Sequence, residues 1–367
     1  METGNLINDK EAFFISHILI RWYDQNKRDL PWRETKDPYF IWLSEIILQQ
    51  TRVVQGYDYY MRFTQTFPTV ASLANAHEDE VLKLWQGLGY YSRARNLHTA
   101  AKMIISDFGG VFPSDYKDIL SLKGVGEYTA AAVGSFAFEL PHAVVDGNVF
   151  RVLSRLFGID TPIDTTQGKK LFTDLANELL DPEHPGEHNQ AMMELGALQC
   201  VPVSPNCGVC PLSDICLAYS QNKVSSYPVK QGKVKIKERY FNYLDIRIDS
   251  SMFLNKRTGN DIWKNLYELP LIETEEKLTL DQLQETEAFR QIFEKAGNIS
   301  IHPMGITLKH VLSHRIIYAN FYTITITDDM AIREQFLKID KADLFNFAIS
   351  RLVDRYLEHQ SEGDLFT

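Results

Sequence analysis

Four cysteines stand close together in the sequence, and the rest of the chain has none: Cys200, Cys207, Cys210 and Cys216. Their spacing, C-x6-C-x2-C-x5-C, contains one short pair, whereas structural zinc sites usually contain two. The looser spacing suits four thiolates around an iron–sulfur cubane. Zinc remains the alternative on ligand chemistry alone, and four unrelated buried thiols are a third interpretation. No secretory signal is visible, so disulfides are not expected.

An acidic residue, Glu45, lies in the largely apolar run L-S-E-I-I-L-Q-Q-T. Helical spacing places it on one face with apolar residues such as Ile41. Desolvation on such a face raises the pKa of a carboxyl group toward neutrality, which suits a general acid. The alternative is a buried ion pair with Arg28 or Arg33.

A second acid, Asp146, sits in V-V-D-G-N-V, between apolar residues and before a predicted helix. An aspartate in this position is ordinarily a helix N-cap. The same helix terminus would favour the ionised carboxylate, so capping and a chemical role are compatible.

A glycine-rich turn, Leu122-Lys123-Gly124-Val125-Gly126, lies between two apolar segments. The two glycines allow a tight turn before a helix whose first amides are free, which is a suitable site for a DNA phosphate. A purely structural turn is the alternative.

These motifs resemble those of one enzyme superfamily. The cysteine spacing resembles the four-iron, four-sulfur motif of the endonuclease III superfamily of DNA glycosylases. The glycine turn followed by Asp146 is similar to its helix-hairpin-helix-Gly/Pro-Asp motif, and the run around Glu45 resembles the signature of adenine glycosylases of the MutY type. The resemblance implies a four-iron, four-sulfur cluster that is structural and DNA-sensing, and it marks Gly124, Val125 and Gly126 as contacts to the DNA backbone.

The resemblance also implies a division of labour between the two acids. Glu45 would protonate the leaving adenine at N7, and Asp146 would stabilise the cationic sugar directly or as a covalent adduct, as in glycoside hydrolysis. Tyr128 and Asn148 resemble supporting hydrogen-bonding residues at the sugar. Bifunctional relatives carry a lysine where this chain has Tyr128, so a monofunctional glycosylase is expected.

Further positions match the superfamily's substrate-binding residues. The expected adenine pocket comprises Arg28, Trp32, Arg33, Leu48, Val53 and Gln190. The residues expected to wedge the duplex open and read the mispair are Gln50, Thr51, Leu88, Tyr90, Ser313 and His314. For the adjacent tyrosines at 90 and 91, half-buried packing is the alternative.

The C-terminal part contains W-K-N-L-Y-E-L-P from Trp263, which resembles a run found in nudix-like domains. An R-E-x-x-E-E metal box is absent from the sequence, so nudix hydrolysis is not expected. In MutY-type enzymes this domain recognises 8-oxoguanine through an F-S-H loop, and this chain has Leu312-Ser313-His314. Leucine replaces phenylalanine, which roughly retains the apolar packing. Capping of a turn by Ser313 and His314 is the alternative.

The elements that must position these residues change character along the chain. Residues 10 to about 220 show helical periodicity and regular Gly and Pro punctuation, with Ser114 and Ser121 as expected helix starts. Strands are expected at Tyr240–Ile248 and Phe321–Ile326, and helices at Ala331–Phe336 and Leu344–Leu357.

The expected fold is a mainly α catalytic region of the helix-hairpin-helix glycosylase type with a C-terminal α+β nudix-like domain. The expected divisions are an iron–sulfur subdomain of residues 1–30 and 139–221, a six-helix barrel of residues 31–138, a basic linker of residues 222–239 and a nudix-like domain of residues 240–360. The linker contains Lys233 and Lys235 among six basic residues and one acid. A solvated linker is the alternative to a role for this charge in DNA binding.

The net charge of −10 argues against nucleic acid when taken alone, but the distribution of charge matters more than its sum. No membrane helix is evident, and a cytoplasmic, nucleoid-associated monomer acting on double-stranded DNA is expected.

The leading hypothesis is removal of adenine opposite 8-oxoguanine or G in base excision repair. The alternatives are a bifunctional pyrimidine-lesion glycosylase/lyase, which Tyr128 disfavours, and a non-catalytic DNA-binding protein, which the intact pair of acids disfavours.

Overall fold

The computed structural model describes residues 7–232 and 236–364. The described residues divide into two compact units, one of residues 7–75 and 96–232 and the other of residues 76–95 and 236–364. The predicted residues 1–6, Lys233 and Lys235 lie outside the described part of the chain. No helix within the described ranges is both long enough and apolar enough to cross a bilayer.

The first unit is helical. Its helices are α1 (Asp9–Asn26), α2 (Pro38–Leu48), α3 (Val53–Thr66), α4 (Val70–Asn75), α6 (Ser92–Asp107, which begins in the second unit), α7 (Tyr116–Ser121), α8 (Glu127–Phe138), α9 (Gly147–Leu156), α10 (Thr166–Leu179), α11 (Pro185–Leu198) and α12 (Leu217–Ser220). Short 3-10 helices occur at Pro31–Arg33, Cys207–Val209, Ser213–Ile215 and Val224–Ser226.

Local sequence signals explain several of these boundaries. Asn8 and Glu11 form a capping box at the start of α1. Asp37 caps α2, whose first residue is Pro38, a favourable position for proline. The prediction for Ser121 is wrong, because Ser121 ends α7 and α8 begins after Gly126.

One hydrophobic core of the first unit joins α1 to the helices after residue 146. Leu19 of α1 is buried together with Leu153 of α9, Phe172 of α10 and Leu195 of α11. The N-terminal helix thus packs with the region that precedes and includes the cysteines. Elsewhere in the unit α2 packs against α3 and α8.

The second unit is a mixed sheet with helices on both faces. Its strands are β1 (Lys237–Ile248), β2 (Ser251–Lys256), β3 (Tyr267–Glu268), β4 (Leu271–Thr274), β5 (Ile299–Val311), β6 (Arg315–Ile326) and β7 (Leu337–Asp340). Its helices are α5 (Glu78–Leu84), α13 (Leu280–Glu285), α14 (Glu287–Phe293), α15 (Met330–Arg333), the 3-10 helix Lys341–Asn346 and α16 (Arg351–Asp364).

The strand order is β3-β2-β1-β6-β5, with β4 also pairing with β1 and β7 with β2. The central pair, β1 and β6, is parallel, and the other pairs are antiparallel. Side chains alternate between the faces, so Phe241 and Phe321 pack with Tyr356 of α16, whereas Ile246 and Ile324 belong to the core on the opposite face.

The strand predictions are confirmed, since Tyr240–Ile248 lies in β1 and Phe321–Ile326 in β6. The predicted helix Leu344–Leu357 is partly wrong, because a break separates the 3-10 helix from α16. In this break Ile349 forms a β-bridge with Tyr267. Tertiary pairing therefore overrides the local helical pattern there.

Residues 76–95 belong to the second unit, although the predicted barrel boundary places them with residues 31–138. Asp79 pairs with Lys256 at 2.7 Å and accepts a hydrogen bond from the Tyr267 hydroxyl at 3.1 Å. Arg95 donates to the carbonyl of Lys264 at 2.9 Å. This segment is therefore tied to the sheet by polar contacts.

Part of the predicted linker is fixed to the first unit. The Asp164 carboxylate accepts hydrogen bonds from the amides of Gln231 and Gly232 at 2.9 and 2.8 Å. Arg155 donates to the carbonyls of Val224 and Tyr227. Residues 224–232 therefore do not behave as a freely solvated segment.

Candidate active site

One cavity of the first unit, about 660 Å³ in volume, contains most of the predicted chemistry. It is lined by the predicted catalytic and adenine-pocket residues together: Glu45, Tyr128, Asp146, Asn148, Arg28, Trp32, Arg33, Leu48, Val53 and Gln190. The volume falls within the ~300–1,000 Å³ of small-molecule sites. Residues far apart in the sequence thus meet at one place, as predicted; their roles stay predictions.

Glu45 lies in α2, is 7% exposed and accepts a hydrogen bond from the Tyr128 hydroxyl, with 2.7 Å between the oxygens. Burial raises the pKa of Glu45 to about 7. The Tyr128 hydrogen bond and the charge of Arg33 lower this pKa, and the charge of Asp146 raises it. A carboxyl group with this pKa holds a proton near neutral pH, as a general acid must.

The alternative role for Glu45, an ion pair with Arg28 or Arg33, is wrong. Both arginines pair instead with Glu194 of α11, at 2.6 and 2.7 Å. The Glu194 side chain is 1% exposed, and hydrogen bonds from both guanidinium groups overcome its burial and lower its pKa to about 2. Glu194 is not among the predicted site residues. Its position four residues after Gln190 on the same helix could have indicated it.

Asp146 is the N-cap of α9, as predicted. Its Oδ1 accepts from the amides of Asn148 and Val149, each at 2.8 Å, and its Oδ2 accepts from the Asn148 side chain at 2.7 Å. Burial outweighs these hydrogen bonds and raises the pKa of Asp146, and an ionised carboxylate at this helix terminus stays a prediction. The hydrogen bonds hold the carboxylate in one orientation.

Arg151 connects this carboxylate to the cysteine region. It donates to the Asn148 side-chain oxygen at 2.9 Å and to the carbonyl of Cys200 at 2.7 Å, and a further bond reaches the Gly196 carbonyl at 2.6 Å. A short hydrogen-bonded chain therefore runs from Asp146 to the first cysteine. This arginine is not among the predicted site residues.

The four cysteines line one small cavity of about 30 Å³, and none of them is in a disulfide. Arg155 donates to the Cys200 sulfur at 3.4 Å. Burial raises the pKa of the Cys210 thiol to about 11, so a thiolate at this position needs the positive charge of bound metal. The shared cavity and the all-sulfur donor set fit an iron–sulfur cluster.

The glycine turn forms the predicted hairpin between α7 and α8. Gly124 has φ of 78°, and a Cβ there would approach the Asn96 side chain to 2.5 Å, so this position requires glycine. Gly126 is the N-cap of α8 and supplies no side-chain cap. Contact of the amides of this turn with a DNA phosphate stays a prediction.

Most of the predicted mispair-reading residues lie in the second unit. Leu88, Tyr90, Ser313 and His314 line one cavity of about 550 Å³, together with Leu312. Tyr90 is 47% exposed, has φ of 46° and is hydrogen-bonded to Ser313.

The packing alternative for the adjacent tyrosines thus applies to Tyr91, which is buried, and not to Tyr90. In the first unit, Gln50 is exposed with φ of 55°, and Thr51 lines the larger cavity.

Comparison with known protein families gives three matches. Residues 43–178 match the HhH-GPD superfamily of base excision DNA repair proteins, residues 200–216 the iron–sulfur binding domain of endonuclease III, and residues 243–359 the NUDIX domain. The match to the iron–sulfur binding domain confirms the predicted cluster and argues against the zinc alternative. The first and third confirm the predicted fold class.

Among curated proteins, the adenine DNA glycosylase of Buchnera aphidicola (subspecies Acyrthosiphon pisum) is 33% identical over 309 residues, covering 84% of this chain and 85% of that protein. The adenine DNA glycosylase of Homo sapiens is 44% identical over 209 residues, covering 54% of this chain and 38% of the human protein.

Among solved structures, a thermostable thymine-DNA glycosylase is 31% identical with a TM-score of 0.54, covering 58% of this chain and 98% of that one. A non-covalent endonuclease III–DNA complex, at 22% identity and a TM-score of 0.51, covers 59% of this chain and 99% of that one, and shares the fold.

Proposed function

Because this chain belongs to the family of adenine DNA glycosylases, we propose that it hydrolyses the bond between adenine and deoxyribose when the adenine lies opposite 8-oxoguanine or guanine. The chain is a DNA glycosylase of base excision repair that binds DNA and holds a four-iron, four-sulfur cluster. We also propose that Glu45 and Asp146 perform the reaction, and that the enzyme is a nucleoid-associated monomer.

The observation that carries the proposal is the pair of carboxyl groups in one cavity, with the pKa of Glu45 raised to about 7. Adenine is a poor leaving group unless protonated. Glu45 gives its proton to N7, the bond from C1′ to N9 breaks with its electrons moving to the base, and a cationic sugar remains. The base departs as neutral adenine.

The Asp146 carboxylate then stabilises the cation at C1′, through space or as a covalent adduct. Its three hydrogen bonds fix its orientation before the reaction, which avoids a reorganisation cost in the transition state. Water adds at C1′, and its proton passes to a carboxylate of the site. Hydrolysis by two acids in this way requires a flipped-out base, since the bond is inaccessible inside the duplex.

Tyr128 supports the proposed monofunctional chemistry. Its hydroxyl is committed to Glu45, and burial raises the pKa of this phenol well above its usual value. A phenol cannot form a Schiff base with the sugar, so the β-elimination that follows a lysine adduct is not available at this position.

We assign recognition of the partner base to the cavity of the second unit. Tyr90 offers an exposed ring for stacking, Leu312 an apolar wall and Ser313 a hydroxyl for an oxidised purine.

The cluster would be held by the four cysteines, and when bound it supplies structural cross-linking of the loop after α11.

The test is product analysis on a duplex with adenine opposite 8-oxoguanine. The expected products are free adenine and an intact strand carrying an abasic site, with little cross-linking to the protein when borohydride is present. High-yield borohydride trapping would instead indicate lyase chemistry, and the recovery of intact substrate would contradict the proposal.

A further inference from the structure

One face of α11 borders the larger cavity with a mixed set of groups. Gln190, Met193, Glu194 and Ala197 all line it, at the spacing that places residues on one side of a helix. Glu194 is committed to its two arginines. Gln190 is therefore the polar side chain of this face that remains available to a base.

The orientation of the Gln190 amide is set from outside the cavity lining. The hydroxyl of Tyr23, in α1, donates a hydrogen bond to Gln190 Oε1. Tyr23 is 4% exposed, and the Arg33 guanidinium lies over its ring at 5.5 Å. Burial raises the pKa of the Tyr23 phenol, so the group stays protonated and acts as a donor.

This donor determines which way the amide faces. An amide has an oxygen with two lone pairs and a nitrogen with two protons. In the reverse orientation the amide nitrogen would donate to the phenol oxygen, and the buried phenol proton would have no acceptor among the contacts described for Tyr23. Such an unsatisfied buried group is unfavourable.

An amide held in this way offers one remaining lone pair on Oε1 and the protons of Nε2. This acceptor–donor pair is complementary to an adenine edge, which combines the N6 amino donor with a ring-nitrogen acceptor. Guanine and hypoxanthine carry an oxygen acceptor in place of the amino group. An amide free to rotate would lose this distinction.

We propose that Tyr23 is a positioning residue for base selection, which fixes the Gln190 amide in the orientation that accepts from the adenine amino group and donates to the adjacent ring nitrogen. The inference rests on the proposed function, since it concerns the base that is removed. Tyr23 acts through Gln190 and is not assigned contact with the substrate.

The test is a double-mutant cycle read by single-turnover adenine release opposite 8-oxoguanine. Tyr23→Phe alone is expected to slow release about five- to tenfold, or about 1–1.4 kcal/mol at 1.36 kcal/mol per factor of ten. In a Gln190→Met background the same Tyr23→Phe change is expected to alter the rate less than about twofold, because residues that act as a unit are not additive.

The matched control is Tyr39→Phe, which removes another buried hydroxyl of the same unit, one that donates to the Phe67 carbonyl at 2.7 Å. It is expected to leave the rate within about twofold of wild type, as for a change remote from the site. Thermal melting of all variants separates loss of folded protein from loss of rate.

Equal slowing by Tyr23→Phe in both backgrounds, or no slowing at all, would overturn the inference. Should the Gln190→Met variant fail to fold, the ratio of adenine to hypoxanthine removal by Tyr23→Phe decides. That ratio is expected to fall below the wild-type ratio, and an unchanged ratio would overturn the inference. A wild-type protein that releases no adenine would contradict the proposed function itself.

Discussion

Replacing Tyr128 with phenylalanine should shift the pH dependence of catalysis in a direction set by one hydrogen bond. The Tyr128 hydroxyl donates to Glu45 at 2.7 Å and lowers the pKa of Glu45, which burial raises to about 7. Since Glu45 must be protonated to act, the wild-type rate should fall as the pH rises through about 7.

The size of the shift follows from the strength of the lost bond. A hydrogen bond to a charged group contributes about 1.5–3 kcal/mol, and one pKa unit corresponds to about 1.36 kcal/mol. Removing the hydroxyl favours the protonated carboxyl, so the pKa of Glu45 should rise by about one to two units. The other groups that act on Glu45, Asp146 and Arg33, are unchanged by the substitution.

The assay is the single-turnover rate of adenine release between about pH 5.5 and pH 9.5. The Tyr128→Phe variant should be slower at low pH, because its general acid is weaker, and should retain its rate to higher pH than wild type. The ratio of variant to wild-type rate should therefore increase with pH. An alkaline limb that stays in place or moves to lower pH would refute the assignment of Glu45 as the acid.

Three further substitutions test separate parts of the site. Asp146→Asn should reduce the rate of adenine release by about 10²–10³-fold or more. The melting temperature should change little, because asparagine also caps helices. Full activity of this variant would contradict the proposed role of Asp146.

Glu194→Ala should lower the free energy of unfolding by about 3–5 kcal/mol, because two guanidinium groups lose their buried partner. The pKa of Glu194 is lowered from 4.5 to about 2. The difference in free energy of unfolding between wild type and variant, measured by denaturant titration, should therefore be largest above pH 4.5 and diminish as the pH falls toward 2. Cys210→Ser should lower the iron content of the purified protein, and unchanged iron per chain would exclude this cysteine as a ligand.

The sequence predicted the parts of the site that lie in short motifs. Asp146 caps α9 because the residues around it determine a helix start. Strands β1 and β6 were predictable because β-branched and aromatic residues recur along each of them. Each of these features depends on neighbours within one element.

Features that depend on long-range contacts were not predictable in this way. Glu194 meets Arg28 and Arg33 across more than 160 residues of sequence, and Tyr23 meets Gln190 across 167. Helical spacing from Gln190 can indicate that Glu194 faces the site, but no local pattern identifies its arginine partners or pairs Tyr23 with Gln190.

The same reason explains residues 347–350, where pairing with β3 replaces the expected helix. It also explains the grouping of residues 76–95 with the sheet, which rests on polar contacts such as that between Asp79 and Lys256.

The most direct measurement compares single-turnover adenine release from three duplexes that differ in the base opposite adenine: 8-oxoguanine, guanine and cytosine. The expected order is fastest opposite 8-oxoguanine, slower opposite guanine and slowest opposite cytosine, since adenine is a normal base and specificity must come from its partner. Equal rates from all three duplexes would contradict mispair recognition, and release from none of them would contradict the proposed function.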